Sequence, residues 1–576
     1  MKLRVAYAKR RYKDKVYETP LVVTSYRDEE GVSRNETIVS LAKLPNYIVE
    51  LVEEGLKRGD ASALDECVAL REIAYPGSVV VGPAFVVVTV LKQLGIYDTV
   101  MSSLPPQQAA ALLHIVVERV VAAKPLSVMA QQRRFTQEPL AFLMGVQEAP
   151  SLNTWYAALA TLEGRREGML QELSARNHVP GDLYLYDITS SYFEGETCPL
   201  AAYGYNRDGK KGKKQVVLGV ICDRDGCPIW MGVFKGNTSV QTTVKQELLN
   251  LKAKLGLEGF TFVGDRGMVT HARIEELEKE GWWEEFSYIT ALTRHEMMAL
   301  VEDEHHPIQL ELFDHQRRRG SLARGVLTEV EHEGTRYVLC HNPQREGRDR
   351  ETRLRLLALT EQKLESLRAN VAAGRIKKKD VIARRLYRWL NRWGMERFFA
   401  VTCDAGVFTY ARREDEIERY ARLDGCYVIR SNAAPAQQTT EDLRDRYKDL
   451  KYVEQAFRTR RGSLARGVMK TTDIQTRPIR HFNEMQVRGH LFACFLAYRV
   501  IWELRQRLAP VLARAPDTKR CEAGSLAEIW RELSGITVAK LEVHAKTHLK
   551  LSHITPYAHK LLTLCRVHSL ETILSE

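Results

Sequence analysis

Between Leu183 and Leu292, short apolar runs of strand length alternate with longer stretches at helical spacing. No other feature of the chain constrains its fold as much. Leu183–Tyr186, Val216–Cys222, Ile229–Phe234, Phe260–Val263 and Phe286–Leu292 read as strands, and Val240–Leu255 and His271–Glu280 read as helices. The turn Asp223-Arg224-Asp225-Gly226 joins the second strand to the third. The order β-β-β-α-β-α-β predicts an α/β fold with a mixed sheet and flanking helices. The first strand lies in LYLYDITSSYFEG, where four apolar or aromatic residues in a row mark a strand covered on both faces. Asp187 follows them directly. A carboxylate there must be neutralised, hydrogen-bonded or bound to a cation. Taken alone, Asp187 reads first as a capping residue at a strand end. The fourth strand, however, ends in Gly264-Asp265-Arg266-Gly267. If the first and fourth strands are neighbours, Asp187 and Asp265 converge.

At 576 residues the chain is long enough for about four domains. A hydrophobic content of 44% and a charged content of 27% describe an ordinary globular protein. The net charge of +12 points to an acidic partner, nucleic acid being the usual one. Ten cysteines occur without paired CxxC spacing, which argues against a zinc site and for reduced thiols. The longest apolar run, around Val79–Leu91, contains Gly82 and Pro83 and is too short to span a bilayer. No signal peptide precedes it, so the expectation is a cytoplasmic protein with no membrane partner.

The rest of the chain divides by composition. Residues 1–60 alternate in polarity and read as a β-rich module carrying the basic run Lys9-Arg10-Arg11-Tyr12-Lys13. Residues 61–180 read as a helical domain suited to DNA binding or multimerisation, broken by Pro105-Pro106, Pro125 and Pro150. Residues 181–294 form the first part of the α/β core. A charged insertion over 295–420 follows, with a β-like half at Gly334–Cys340 and a helical half at Glu361–Trp393. The core resumes over 421–500, and 501–576 reads as a helical tail. In the helix Thr440–Arg458, Leu443, Tyr447, Leu450 and Phe457 share a face, and Glu454 projects from that stripe. An acid among apolar neighbours has no structural excuse.

Asp187, Asp265 and Glu454 are thus three carboxylates on separate elements that can meet at one sheet edge. Crowding them without cations raises their pKa values. Mg²⁺ takes such oxygen ligands, and two ions roughly 4 Å apart can activate a water or a 3′-hydroxyl and stabilise the leaving oxygen of a phosphodiester. At these residues the chain resembles bacterial insertion-sequence transposases of the DDE type. The matching stretches are YDITSSYFEG, the segment Gly226–Ser239, FVGDRGM, LDGCYVIRSN, YKDLKYVEQAFRT and RPIRHFNEMQVRGH, in order over roughly 181–500. The resemblance implies a ribonuclease H-like core, a mixed five-stranded sheet interrupted by an insertion domain. It also implies that Asp187, Asp265 and Glu454 are the catalytic, metal-binding triad for two Mg²⁺ or Mn²⁺ ions.

That group carries a signature, Tyr-x2-Arg-x3-Glu-x6-Lys. Tyr447 and Glu454 match it, but Leu450 stands at the Arg position with Lys451 beside it, and Arg461 stands at the Lys position. The nine residues RRGSLARGV occur twice, at Arg318–Val326 and Arg460–Val468. The unit is too short and the period too long for a solenoid repeat, so each copy reads as an insertion. Removing the second copy brings Lys470 to the signature position. The rival reading is that Arg461 has taken the role, which its bidentate phosphate geometry permits; a third is that both copies are basic DNA-facing loops. The DNA contacts expected are Tyr447, Lys451, Arg458, Arg461 and Lys470, with Arg477, His481 and Arg488 from the last matching stretch.

The function implied is cut-and-paste transposition: cleavage at the terminal inverted repeats and strand transfer into target DNA. The enzyme would act as a homodimer or higher multimer, in the cytoplasm on the nucleoid. Two alternatives stay open at this point: a catalytically impaired, transposase-derived DNA-binding regulator, and a cellular nuclease with the same metal chemistry.

Overall fold

The computed structural model describes residues 3–12, 15–58, 73–122, 126–177, 183–205, 212–281, 286–320, 327–392, 394–404, 407–457, 476–512, 526–543 and 546–567. Two compact units divide the chain. One comprises Met1–Met169, Glu194–Cys198 and Ile474–Glu576; the other comprises Leu170–Phe193 and Pro199–Asp473.

The first unit begins with an antiparallel sheet of β1 (Leu3–Tyr12), β2 (Lys15–Arg27) and β3 (Ser33–Ser40). Period-two alternation turns Val5, Val22 and Val39 to one side. There Val49 and Val52 of helix α1 (Asn46–Arg58) complete a small core with Leu41. After β4 (Ile73–Val80) come the apolar helices α2 (Gly82–Gln93) and α3 (Pro106–Val121). Proline stands at the first turn of each, where a missing N–H is tolerated. α3 is buried on every side from Ala109 to Val117, as a helix apolar all round must be. Among the described residues no single helix is long and apolar enough to cross a membrane. Helix α4 (Leu152–Asn177) leads out of this unit.

The second unit is built on a sheet of β5 (Leu183–Tyr192), β6 (Gln215–Cys222), β7 (Pro228–Lys235), β8 (Thr261–Gly264), β9 (Ser287–Ala291), β10 (Thr328–His332), β11 (Thr335–His341) and β14 (Cys426–Ser431). Its order is β10-β11-β14-β9-β8-β5-β6-β7. β5, β8 and β9 run parallel to one another, and every other pairing is antiparallel. Helix α5 (Val240–Leu255) joins β7 to β8. The resemblance implies a five-stranded sheet, and the sheet has eight strands. β14 pairs with β9 from Ile289 to Ala291, and β11 and β10 continue outward. Without them β9 would present an open row of backbone donors and acceptors.

This arrangement also redraws the insertion. Residues 327–341 belong to the main sheet rather than to a separate body. The inserted body consists of helices α6 (Pro343–Ala372) and α7 (Lys379–Arg392) and the hairpin β12 (Phe399–Asp404)–β13 (Val407–Arg412). Its own core includes Leu357, Leu364, Leu367, Ile382, Leu390, Phe398 and Phe408. Where the chain returns to β14, Asp424 is 3% exposed and is held by two guanidinium groups. Arg294 Nη2 donates to its Oδ1 at 2.6 Å, and Arg353, on α6, donates to its Oδ2. Beside it, Gly425 (φ +72°) lies so close to Glu346 that a Cβ would stand 2.7 Å from that residue's own Cβ.

Beyond helix α8 (Thr440–Phe457) the chain rejoins the first unit through α9 (Glu484–Arg507). The stretch read as a helical tail contains a hairpin, β15 (Thr537–Val543) and β16 (Lys546–Leu551). β15 pairs antiparallel with β4, Thr537 opposite Val80. β4 itself lies in the region read as helical. The isolated β-branched runs are too short to register in sequence, and only their pairing makes them strands.

Replacing Asp424 by Ala leaves Arg294 and Arg353 facing an uncompensated cavity. The expected loss is about 3–5 kcal/mol, the range for breaking one partner of a buried ion pair. It is read as a lowered urea midpoint, with Asp424→Asn falling between the variant and the parent.

Candidate active site

The site begins with the pairing of β5 and β8. Leu183, Tyr184, Leu185 and Tyr186 are buried, as are all four residues of β8. The parallel register runs Leu183↔Thr261 to Tyr186↔Gly264. Asp187 and Asp265 therefore occupy the next positions on neighbouring strands, at the edge where β8 ends. Gly264 lets the chain turn back tightly there, since a Cβ would stand 2.8 Å from Val269 Cγ2. Met268 N–H closes the turn onto the Asp265 carbonyl at 2.8 Å.

Each aspartate is oriented by backbone. Asp187 Oδ1 accepts from Ile188 N–H at 2.8 Å, and Asp265 Oδ1 accepts from Arg266 N–H at 2.8 Å. Helix α8 supplies a further donor, Tyr447 Oη, which donates to Asp265 Oδ1 at 3.2 Å. Burial first, and then the negative charge of Asp265, raise the Tyr447 pKa above the usual phenol range, so the hydroxyl keeps its proton.

The start of α8 is pinned by polar contacts. Asp442 Oδ2 accepts from Thr439 N–H at 3.0 Å, while Thr439 Oγ1 accepts from Asp442 N–H at 3.1 Å. Buried Arg336, on β11, bonds the carbonyls of Ala433 and Gln438 at 2.8 Å each and pairs with Glu329 at 2.6 Å. The apolar stripe then docks the helix: Leu443 and Val453 are fully buried and Leu450 nearly so. Toward the other end, Tyr452 packs on Gly226 in the β6–β7 turn, where a Cβ would stand 2.7 Å from the tyrosine Cβ.

Glu454 is half-buried on this helix. Among the described residues no group of three or more His, Cys, Asp or Glu side chains stands close enough to hold a metal ion. The two aspartates have the oxygen donors and the adjacency a hard cation requires, but Glu454 does not complete a three-carboxylate group with them. Lys451 is exposed, 3.8 Å from Asp449 and 4.6 Å from the Tyr452 ring centroid. Arg458, Arg461 and Lys470 lie outside the described residues, as do the repeat Arg460–Val468 and most of its twin Arg318–Val326.

Arg477, His481 and Arg488 belong to the first unit, where the Arg477 backbone carbonyl and the His481 and Arg488 side chains bond to residues of the same unit. Arg119, 1% exposed, donates to the Arg477 carbonyl at 2.6 Å. His490 Nε2 bonds the Thr476 carbonyl at 2.9 Å, so His490 Nδ1 accepts from His481 Nε2 at 3.1 Å. Tyr156 meets His481 edge-on. Arg488 pairs with Glu484 at 2.8 Å. Sequence reading had no means to find Arg119 or Arg336, because a buried arginine in an apolar helix or strand looks like any surface cation until its carbonyl partners are seen.

Residues 181–407 match the family model of the transposase DDE domain. The match spans both aspartates and ends before Glu454. This segment is similar to the transposase DDE domain. Among solved structures, the piggyBac transposase synaptic complex with hairpin DNA, determined by cryo-EM, aligns over 78% of this chain and 77% of that one. The identity is 9% and the TM-score 0.34. No curated protein matches the sequence.

The buried imidazoles make the first unit acid-sensitive. Burial holds His114 and His481 down at about 4 and His490 well below the ordinary 6.5. Unfolded, these rings take up protons near pH 6.5; folded, His114 and His481 do so only near 4 and His490 only well below 6.5. The unfolded state therefore binds more protons in that window, and stability falls as pH drops through it. The expected loss is about 3 kcal/mol for each of His114 and His481 once their folded pKa is reached. A urea midpoint for this unit that stays level from about pH 7 to about pH 4.5 refutes this reading.

Proposed function

We propose that this chain is a cut-and-paste DNA transposase that cleaves at the ends of an insertion sequence and joins the freed 3′ end to target DNA. The observation that carries the reading is the Tyr186↔Gly264 register within a segment matching the transposase DDE domain. That register sets Asp265, just past the end of β8, beside Asp187 in the middle of β5. The sheet order β7-β6-β5-β8-β9, antiparallel through the first three strands and parallel through the last two, supports a ribonuclease H-like core.

In cleavage, a water oxygen attacks the phosphorus and the P–O3′ bond breaks, leaving a 3′-hydroxyl. That hydroxyl then attacks a target phosphodiester in line, forming one P–O bond as another breaks. Both steps need positioning and charge stabilisation rather than covalent protein chemistry. Divalent ions, Mg²⁺ or Mn²⁺ and two in number on this reading, would be held by Asp187, Asp265 and Glu454 and would lower the charge on the reacting phosphate. The protein's own contribution is orientation. The Ile188 and Arg266 amides fix one oxygen of each aspartate, and Tyr447 steers Asp265. The substrate is double-stranded DNA, terminal inverted repeats and target alike, bound by a dimer or higher multimer in the bacterial cytoplasm.

A second reading, a DNA-binding regulator descended from a transposase, is favoured by one observation: no three-carboxylate group stands assembled among the described residues. Nicking assays on DNA carrying the repeats that flank the gene separate the two. Under the enzymatic reading, cleavage needs Mg²⁺ or Mn²⁺ and disappears in Asp187→Asn, Asp265→Asn and Glu454→Gln. Tyr447→Phe, which removes only the hydroxyl, lowers the rate by roughly ten- to a hundredfold, the scale of a misoriented reacting group. Tight repeat binding with no nicking under any metal would establish the regulator instead.

A further inference from the structure

The inserted body carries a concentration of charge that the catalytic reading does not use. From Arg375 to Arg388 the sequence RIKKKDVIARRLYR holds seven cations (Arg375, Lys377, Lys378, Lys379, Arg384, Arg385 and Arg388) and one acid, Asp380. All seven are exposed. Elsewhere on this body some exposed arginines sit in ion pairs, Arg368 with Glu365 and Arg412 with Glu361. Among the described residues none of the seven has a carboxylate partner, so their mutual repulsion is relieved only by solvent and salt.

Helix geometry organises the charge. Ile382, Leu386 and Leu390, spaced four apart, turn with Trp389 into the core of the inserted body. Arg384 and Arg388, also four apart, are carried on the opposite side, and Tyr387, 73% exposed, lies beside them. The basic turn 375–379 leads directly into this face. An amphipathic basic helix can also lie on an anionic membrane, but that needs its apolar side in the lipid. Here the apolar side is already buried. What remains available is a rigid row of cations with a phenol among them, which suits a line of phosphates rather than a bilayer.

We infer that the exposed face of α7, with the turn before it, is a docking surface for the sugar–phosphate backbone of duplex DNA. Resting on the transposase reading, this inference adds to it a second place, on the inserted body, where DNA is held. Binding there is independent of sequence, since arginine and lysine reaching phosphates position a duplex without reading its bases.

The test uses the full chain carrying Asp187→Asn, in chelator, so that binding is measured apart from cleavage. Affinity for unrelated duplexes of about 30 base pairs is followed by fluorescence anisotropy across a salt series. Replacing Arg384, Arg385 and Arg388 together by Ala should weaken binding to all the duplexes alike and reduce the slope of log K against log salt by about 2 to 3. The matching triple Lys variant should restore most of the slope, which a merely misfolded α7 would not allow.

Unchanged slope and affinity in the Ala variant overturn the inference. So does a loss confined to one sequence, failure of the Lys variant to recover, or an effect seen with RNA duplexes and not with DNA. If the surface behaves as expected while the parent chain never nicks repeat DNA, the catalytic reading fails and the docking surface stands. Nicking by the parent with no effect in the Ala variant has the opposite meaning.

Discussion

One backbone ladder, the parallel pairing of β5 with β8, sets everything else at the candidate site. Side-chain direction on neighbouring parallel strands is decided by register, and a slip of one residue would send an aspartate to the other face. The register is protected by what surrounds it. Tyr184, Tyr186, Phe260 and Phe262 are all buried, and their rings meet across the two strands. A shift would unpack them together. The precision of the carboxylates is thus inherited from aromatic packing beneath them rather than from their own interactions.

Arginine does two different jobs in this chain. Arg119, Arg294, Arg336 and Arg353 reach carbonyls or carboxylates and act as cross-links between elements that sequence leaves far apart. Arg336 is the clearest case, bonding from a sheet strand to the segment that launches α8. Others, as on α7, lie in solvent without carboxylate partners. Of the first group, Arg294, Arg336 and Arg353 are paired with carboxylates, while Arg119 reaches a backbone carbonyl.

Much of the core could be read without coordinates. Continuous apolar runs announced β5, β6, β7 and β9, and the spacing of Val240–Leu255 matched its helix from end to end. The convergence of Asp187 and Asp265 was legible only on the condition that the first and fourth strands pair, which β5 and β8 do. Pairings made over long sequence distances escaped. β14, β11 and β10 join the sheet only because β9 has an edge to complete, and β15 is a strand only because β4 lies beside it. At the site, Tyr447 was legible as a signature residue, but its bond to Asp265 was not. His481 and Arg488 share a stretch with the transposase resemblance, yet their partners, His490 and Glu484, lie within a turn or two of α9 itself. A matching stretch does not reveal whether its polar residues face a ligand or each other.

The strand pairing of Thr537 with Val80 has a consequence for biosynthesis. As the polypeptide leaves the ribosome, nearly all of the second unit emerges between β4 and the hairpin that completes it. β4, made far earlier, must wait with one side unprotected until the closing hairpin arrives, and long-range closure of this kind is slow. During that interval its unpaired backbone is open to a neighbouring nascent chain on the same message. The unit that carries Asp187 and Asp265 would thus be synthesised before β4 finds its partner, and closure of the first unit would be the stage at which chaperones matter.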